Sequence, residues 1–266
     1  MVDISGETTD RKTATPSEMR DLVASLRTDD PSWFQFDGGR VSPKDLAIML
    51  TPHVSETRRA NIEAVLDRRT ENVAVVVEGM VDLGNVSAVM RTADGFGVQK
   101  VHAIDTATKY KRSKRITQGA DKWVDRYRWE STKECFDQLR KDGYRIVAAD
   151  VGEGVAPAWD TDLTRRCALV FGNELEGLTT EARHGADEVI TVPMGGFTES
   201  FNISVAAAVV LYEVMGQRRK RNASQGDLSV EARDRIRAVW YAKSVSNVRA
   251  LVEHKLANDQ PSNGTR

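Results

Sequence analysis

The segment that decides the fold class is VAVVVEGMVDLGNVSAVMRTADGFGVQKVHAI, residues 73–104. It holds two short apolar runs, at 73–78 and 98–104, on either side of an amphipathic stretch near 85–96. Strands that are continuously apolar, rather than alternating with polar residues, are buried on both faces, as in parallel sheets covered by helices. The segment therefore predicts a strand, a helix and a second strand of a parallel sheet.

The same pattern continues along the chain, where more apolar runs alternate with amphipathic stretches. The further runs lie at 144–149, 167–172 and 188–193, and the amphipathic stretches at 131–142, 179–185 and 202–218. Together they predict an α/β fold, in which a parallel sheet has helices on both faces. The stretch 202–218 is apolar on nearly all sides, so we expect this helix to be buried.

The two ends of the chain predict additional helices. A capping box with proline at 15–18 and a second helix start at 42–43 predict a helical appendage. The predicted organisation is a disordered segment at 1–14, an N-terminal helical appendage at 15–70, the α/β domain at 71–221, a helical C-terminal extension at 222–258 and a disordered end at 259–266.

Composition excludes several classes of protein. The chain has 266 residues, of which 40% are apolar, enough for a full core. No apolar run approaches the roughly 18–20 residues of a membrane span, and the polar N-terminus has no signal-peptide core, so we expect a cytoplasmic protein. With 2 cysteines and 4 scattered histidines, we expect core thiols, no disulfide framework and no metal site.

The net charge of −1 conceals an asymmetry along the chain. Residues 109–128 carry 8 Lys or Arg against 2 Asp, interleaved with aromatic residues. Such a cluster suits nucleic acid, because cations neutralise phosphates and rings stack on bases; a solvated surface with some rings in the core is the alternative. A second cluster, RRKR at 218–221, either contacts nucleic acid or complements the dipole of the preceding helix. The candidate RNA-binding residues are Lys109, Lys111, Arg112, Lys114, Arg115 and Arg218.

The loops after the predicted strands are the expected ligand site, because the carboxyl ends of parallel strands share one edge of a sheet. Three of these loops are unusual in sequence and lie at 78–97, 172–177 and 193–215. They contain no GxGxxG, GxxxxGK[ST] or GxSxG motif, which argues against the common nucleotide-binding and hydrolase sites. Taken singly, Asn202 is consistent with a helix cap, Arg91 with a surface cation and Glu174 with a solvated carboxylate.

Taken together, three motifs in these loops resemble the SpoU (TrmH) family of RNA ribose 2'-O-methyltransferases, in the SPOUT superfamily. The motifs are NVSAVMRTADGFGV (85–98), LVFGNELEGLT (169–179) and VPMGGFTESFNISVAAAVVLYE (192–213). The resemblance covers residues 58–221 in order and spacing. It is greatest to the TrmH branch that acts on tRNA, through IEAVLDRR at 62–69 and GADKWV at 119–124.

The resemblance implies a C-terminal trefoil knot, S-adenosylmethionine bound in the knot and a homodimer that shares its site. It also implies methylation of tRNA, with a guanosine of the D-loop as the family's usual target. The implied catalytic residues are Arg91, Asn85, Glu174, Ser200 and Asn202. The implied cofactor-binding residues, which offer mostly backbone groups and apolar walls, are Ala149, Gly172, Val192 and Phe201.

In this family, Arg91 corresponds to the residue that is proposed to activate the ribose hydroxyl. A guanidinium stays protonated near neutral pH and is therefore a poor base. Our hypothesis is instead that Arg91 grips the target phosphate and stabilises the developing alkoxide, with the phosphate helping to take the proton.

Three alternatives stay open at this point. A ribosomal RNA 2'-O-methyltransferase has the same motifs, and sequence does not separate it from a tRNA enzyme. A non-catalytic RNA-binding protein is the second alternative. The presence of all the implied catalytic residues argues against it, because such a protein does not need Asn85, Arg91, Glu174 and Asn202. A nucleotide-binding regulator requires a phosphate-binding glycine loop after the first strand, where residues 78–85 read EGMVDLGN.

Overall fold

The computed structural model describes residues 32–79, 83–105, 122–152, 154–173, 176–221 and 226–259. These residues form two compact units. The larger unit spans Asp67–Leu228, and the smaller unit combines the described residues that precede and follow it. Within the described ranges, no helix is long and apolar enough to cross a membrane.

The larger unit contains a seven-stranded sheet, and the smaller unit contains an antiparallel hairpin. The strands are β1 (Phe34–Phe36), β2 (Gly39–Val41), β3 (Thr70–Glu78), β4 (Val98–Ile104), β5 (Asp125–Trp129), β6 (Arg145–Ala149), β7 (Ala156–Pro157), β8 (Cys167–Phe171) and β9 (Glu188–Thr191). The order in the large sheet is β5-β4-β3-β8-β6-β9-β7, and every neighbouring pair is parallel. This sheet confirms the predicted α/β class.

Several helices begin where the sequence supplies a capping side chain. They are α1 (Pro43–Leu50), α2 (Glu56–Leu66), α3 (Leu83–Gly95), α4 (Thr132–Lys141), α5 (Thr180–Gly185), α6 (Ile203–Lys220), α7 (Val230–Ala242) and α8 (Val248–Asp259). Ser131, Thr179 and Asn202 each accept a hydrogen bond from a backbone N–H in the first turn of the helix that follows. The predicted helix that begins near residue 15 lies outside the described residues.

Helices cover both faces of the sheet, as predicted. Val73, Val75 and Val77 of β3 pack on one side with α3 and α6. Ala74 and Val76 point to the opposite side and pack with α4. Because successive side chains of a strand alternate between faces, a strand can be buried on both faces only if it is apolar throughout. The run VAVVV meets that condition.

The position of β8 brings the candidate loops together. β8 lies between β3 and β6, although it follows both in the chain. Since these strands are parallel, β3, β8, β6 and β9 end at one side of the sheet, which we call the carboxyl edge. The three loops that are unusual in sequence therefore leave the sheet at the same edge, as expected. The trefoil knot implied by the resemblance stays a prediction.

Short and peripheral strands are the elements that the sequence does not predict. β5, with the sequence DRYRW, stands at the end of the sheet and pairs with β4. An edge strand has one side open, so it tolerates charged residues that hide its pattern. β7 has two residues and each hairpin strand has three, which is too short for a periodicity to be recognised.

The smaller unit has its own core and an ionic cluster. Trp240 of α7 is fully buried in this core. Glu63 of α2 accepts hydrogen bonds from Arg237 at 2.5 and 2.9 Å and from Arg233 at 2.9 Å. These bonds, led by the one from Arg237, hold the pKa of the Glu63 carboxyl below its usual value. The predicted appendage and the predicted extension both contribute helices to this unit, and their boundaries stay predictions.

Candidate active site

Three of the residues implied to bind a cofactor lie at neighbouring strand ends on the carboxyl edge. Ala149, the last residue of β6, is in register with Phe171 of β8 and with Ile190 of β9. Gly172 follows Phe171 directly, and Val192 lies just beyond the end of β9. Ala149 and Val192 are half-buried and pack against the core. The edge thus combines apolar walls with the backbone of three adjacent strand ends.

In the loop after β8, residues 172–179, the described residues at the two ends contact each other. The backbones of Asn173 and Gly177 exchange two hydrogen bonds, at 3.2 and 3.0 Å, and Oδ1 of Asn173 accepts from the backbone N–H of Glu176 at 2.8 Å. A Cβ on Gly172 would lie 2.1 Å from the carbonyl carbon of Gly177. Gly177 itself has φ at +68°, in the left-handed region. This packing requires glycine at both positions.

A buried carboxylate at the end of β3 holds this loop. Glu78 is 1% exposed, and its Oε2 accepts a hydrogen bond from the backbone N–H of Thr179 at 2.9 Å. Its Oε1 accepts from the hydroxyls of Thr179 and Thr132, at 2.8 and 2.5 Å. Sequence reasoning missed Glu78. A lone carboxylate that closes an apolar run is a usable signal, because a buried charge requires hydrogen-bond partners.

Two asparagines join the first and third motifs. Nδ2 of Asn202 donates a hydrogen bond to Oδ1 of Asn85 at 3.1 Å. Oδ1 of Asn202 accepts from the backbone N–H and the hydroxyl of Ser204, at 2.9 and 2.6 Å, and so caps α6. The cap fixes the Asn202 side chain, which in turn orients Asn85 in the first turn of α3. The structure therefore brings together two implied catalytic residues that are 117 positions apart.

Arg91 and Ser200 are exposed. Across the part of the chain that the structure describes, neither side chain forms a hydrogen bond or an ion pair. Arg91 lies on α3 six residues beyond Asn85, a rise of about 9 Å along an ideal helix. Glu174, the remaining implied catalytic residue, lies outside the described residues. A guanidinium without an internal partner is suited to binding an anionic ligand.

One face of α6 is exposed, so the expectation that this apolar helix is buried is wrong for the single chain. Ala207, Val210, Leu211 and Val214 are buried, as is much of the helix. Val205, Val209 and Tyr212 are exposed and share one side of the helix, because they are spaced by four and three residues.

Phe201, implied to bind the cofactor, precedes the helix and is 40% exposed.

Arg218 requires a correction to the expected RNA-binding set. Its side chain is buried, and its guanidinium donates to Oδ2 of Asp227 and to the carbonyl of Thr164, both at 2.7 Å. Arg218 is therefore an internal ion pair rather than an exposed cation, because it lies on the inward side of the last turn of α6. The other candidates lie outside the described residues, namely Lys109, Lys111, Arg112, Lys114 and Arg115.

Two half-buried aromatic residues near the basic cluster pack against a buried side chain of the neighbouring strand. Tyr127 and Trp129 of β5 stack on the buried His102, with ring centroids 4.6 and 6.1 Å away. Nε1 of Trp129 also donates to Nδ1 of His102 at 3.0 Å. For these two rings, the alternative that some aromatic residues of the segment pack into the core is correct.

The cysteines are buried thiols. Burial raises the pKa of Cys135 to about 12 and that of Cys167 to about 11, so both stay protonated near neutral pH. This agrees with their interpretation as core residues.

Among the residues that the structure describes, no group of three or more His, Cys, Asp or Glu could hold a metal ion.

Comparison with known proteins gives the family of this site. The sequence profile of the SpoU rRNA Methylase family matches residues 72–212, a range that includes the carboxyl edge, the 172–179 loop and the asparagine pair. The chain belongs to the SpoU rRNA methylase family. The resemblance inferred from the three motifs is thereby confirmed.

Relatives within the SpoU family are named as tRNA and ribosomal RNA enzymes. The tRNA (guanosine(18)-2'-O)-methyltransferase of Borreliella burgdorferi is 32% identical over 199 residues, which are 75% of this chain and 91% of that enzyme. The 23S rRNA (guanosine-2'-O-)-methyltransferase RlmB of Pasteurella multocida is 30% identical over 165 residues, 61% of this chain and 67% of that enzyme. The crystal structure of the A. aeolicus TrmH/SpoU tRNA modifying enzyme matches with a TM-score of 0.63 at 30% identity, covering 71% of this chain and 96% of that one.

Proposed function

We propose that this protein methylates a ribose 2'-hydroxyl of tRNA, in the cytoplasm, with S-adenosylmethionine as the methyl donor. The observation that carries the proposal is the hydrogen bond between Asn85 and Asn202, because it joins the first and third family motifs. Membership in the SpoU family and the activities named for its relatives support the reaction type.

The carboxyl edge has the features that an adenosine-containing cofactor requires. Ala149 and Val192 offer apolar surface at this edge, Phe201 adds an exposed ring before α6, and the carbonyl oxygens of the 172–179 loop can each accept a second hydrogen bond. S-adenosylmethionine supplies an electrophilic methyl group when it is bound. The residues of this edge hold the donor in a fixed orientation. Alignment of this kind can give an effective molarity of about 10⁵ M or more.

Arg91 is the residue that we assign to the target ribose. Its guanidinium has no hydrogen-bond or ion-pair partner among the described residues, so it is available to bind the adjacent phosphate through two N–H groups. In the same position it stabilises the negative charge that the 2'-oxygen gains as its proton passes to the phosphate. The oxygen then forms a bond to the methyl carbon while the bond from that carbon to the donor sulfur breaks. The hydrogen bond between Asn85 and Asn202 fixes the first turn of α3, the helix that carries Arg91. Ser200 and Glu174 complete the proposed site.

Ribosomal RNA is the second candidate substrate, because the RlmB relative is named as a 23S rRNA enzyme. The chain covers 91% of the Borreliella tRNA enzyme but 67% of the RlmB enzyme. The more complete match favours tRNA, and the name of the tRNA relative makes a guanosine the first nucleoside to test.

The experiment that tests this function is methyl transfer from labelled S-adenosylmethionine to unmodified tRNA and, separately, to ribosomal RNA. We expect label at one ribose of tRNA, because a 2'-O-methyl group makes the next phosphodiester bond resistant to alkali. Nuclease mapping then identifies the nucleoside. Label in ribosomal RNA alone would establish the second candidate instead, and a protein that does not bind S-adenosylmethionine would contradict both.

We also propose that the protein is a homodimer, held in part by the exposed stripe of α6. The stripe of Val205, Val209 and Tyr212 continues a helix whose other side is core. Apolar side chains aligned on one face of a rigid helix are typical of protein interfaces. A second copy of the chain would bury this stripe, and such a dimer is what the family resemblance implies.

A charge placed in the stripe should dissociate the dimer. We expect Val209→Asp to weaken self-association at least about a hundredfold, because a buried unpaired carboxylate is costly at an interface. Sedimentation velocity over a range of concentrations measures this change. Val230→Asp is the matched control, since Val230 is 71% exposed on α7 and its replacement should leave the dimer intact. A wild-type protein that sediments as a monomer, or a dimeric Val209→Asp variant, would exclude this interface.

A further inference from the structure

The carboxylate of Glu78 connects three segments that are distant in the chain. It ends β3, it binds the first residue of α4 through the Thr132 hydroxyl, and it binds the end of the 172–179 loop through Thr179. Thr179 follows Glu78 by 101 positions. The carboxylate therefore fixes the distance between the strand that leads to the first motif and the loop that carries the second.

Thr179 forms more hydrogen bonds to the Glu78 carboxylate than Thr132 does. Its backbone N–H and its hydroxyl both donate to Glu78, one to each carboxylate oxygen, whereas Thr132 donates through its hydroxyl alone. The Thr179 hydroxyl also accepts from the backbone N–H of Ala182 at 3.1 Å and caps α5. The last residue of the loop is thus held on two sides.

The other end of the loop is fixed by contact. Gly172 leaves β8 against the backbone of Gly177, where no side chain fits. Gly172 is thus fixed by the sheet and Thr179 by Glu78, so the described residues at both ends of the loop are held in place. A loop that binds a ligand through its backbone gains affinity from such preorganisation.

Stability alone does not explain why a carboxylate, rather than an apolar side chain, stands at residue 78. An apolar side chain would end a buried strand without the cost of removing a charge from water. Among the described residues, no salt bridge involves Glu78, and its hydrogen-bond donors are two hydroxyls and a backbone N–H. An acceptor with two oxygens is the group that can hold both the N–H and the hydroxyl of Thr179.

We propose that Glu78 is a positioning residue, which acts through Thr179 to hold residues 176–179 of the loop in the conformation that binds S-adenosylmethionine. This inference rests on the proposed function. It assigns no contact between Glu78 and the cofactor, so its effect should appear in the affinity for S-adenosylmethionine rather than in the turnover of the bound complex.

The test compares two valine substitutions that each remove one hydroxyl from the same carboxylate oxygen. We expect Thr179→Val to raise the Kd for S-adenosylmethionine about tenfold, the usual effect of losing a hydrogen bond to a charged group. Thr132→Val should change it less than about twofold, because Thr132 lies outside the loop. Titration calorimetry without RNA measures both, and KM for the cofactor should rise in Thr179→Val while kcat changes little.

Further variants separate positioning from simple loss of stability. Thr179→Ser keeps the hydroxyl and should restore the wild-type Kd. Ser131→Ala removes the cap of α4 without touching Glu78 and serves as the control for losing a helix cap. Glu78→Gln preserves size but offers one acceptor oxygen in place of two, so it should weaken binding in the same direction as Thr179→Val.

The outcomes distinguish this inference from the proposed function. A tenfold effect in Thr179→Val with unaffected controls supports the positioning role. Equal Kd values for Thr179→Val, Thr132→Val and the wild type would overturn the positioning role but leave the methyltransferase proposal intact. A wild-type protein that binds no S-adenosylmethionine would overturn the proposed function, and the positioning role with it.

Discussion

Replacement of Arg91 by lysine is expected to lower kcat for methyl transfer at least about a hundredfold, the usual effect of removing one donor from a developing oxyanion. Lysine keeps the positive charge but loses the planar pair of N–H groups that can bind a phosphate and an oxygen together. The affinity for S-adenosylmethionine should stay within about twofold, because Arg91 is not placed on the cofactor loop. Single-turnover transfer of labelled methyl to tRNA measures the first effect, and calorimetry measures the second.

Arg165→Lys is the matched control for this prediction. Arg165 is also exposed, but it lies between β7 and β8, where it forms a loose ion pair with Asp162 at 3.9 Å. Its replacement should leave turnover unchanged. If Arg91→Lys retained more than half of the wild-type turnover with unchanged RNA binding, the guanidinium geometry would not be what the reaction requires, and a charge alone would suffice.

Gly172→Ala is expected to abolish measurable binding of S-adenosylmethionine. The new methyl group would meet the backbone of Gly177 at 2.1 Å, so either β8 or the whole 172–179 loop must move. Because this contact is with backbone and not with a flexible side chain, no rotamer change relieves it. We expect the free energy of unfolding to fall by about 1–3 kcal/mol, the usual cost of overpacking, and cofactor affinity to fall at least about a hundredfold.

Gly216→Ala is the control, because it shows what replacing a glycine by alanine does where the new methyl group meets no other atom. Gly216 lies inside α6, and a Cβ there would meet nothing within 4 Å. Gly216→Ala should raise the free energy of unfolding by about 0.5–1 kcal/mol, because alanine favours helix over glycine. Thermal unfolding and calorimetry on both variants make the comparison. Wild-type cofactor affinity in Gly172→Ala would show that the loop conformation described above is not the one that binds.

The core of the larger unit could be predicted from the sequence because its signal is local. Each buried strand is marked by its own apolar residues, as Val73 to Val77 mark β3, and each main helix by its spacing and cap. Parallel pairing follows from burial on both faces and needs no knowledge of which strands are neighbours. The position of the site at the carboxyl edge follows from that pairing alone.

The parts that sequence reasoning missed depend on contacts between distant residues. Nothing local indicates that Glu78 holds Thr179, or that Arg218 turns inward to Asp227. The same holds for Tyr127, whose ring stacks on His102 of the neighbouring strand. In each case, the residue type is compatible with a surface or an RNA contact, and only the tertiary partner decides its role.

Helix α6 illustrates a different limit. Its residues predict burial on all sides, which the single chain does not show, because the sequence does not distinguish burial within one chain from burial between two. Both require an apolar surface, and the free energy gained per unit of area removed from water is similar. The exposed stripe at Val205, Val209 and Tyr212 is visible only when the fold of the single chain is known.

The insertion of β8 between two earlier strands also constrains how the protein can be made. A ribosome releases β3 and β6 before β8, so the chain must wait until residues 167–171 emerge before the two strands can share a sheet. During that interval, β3 presents a row of valines and unpaired backbone groups along an open edge, the kind of surface on which nascent chains aggregate. Contacts of such long sequence separation also form slowly. The centre of the sheet, which is the most buried part of the folded protein, is therefore its most vulnerable part during synthesis.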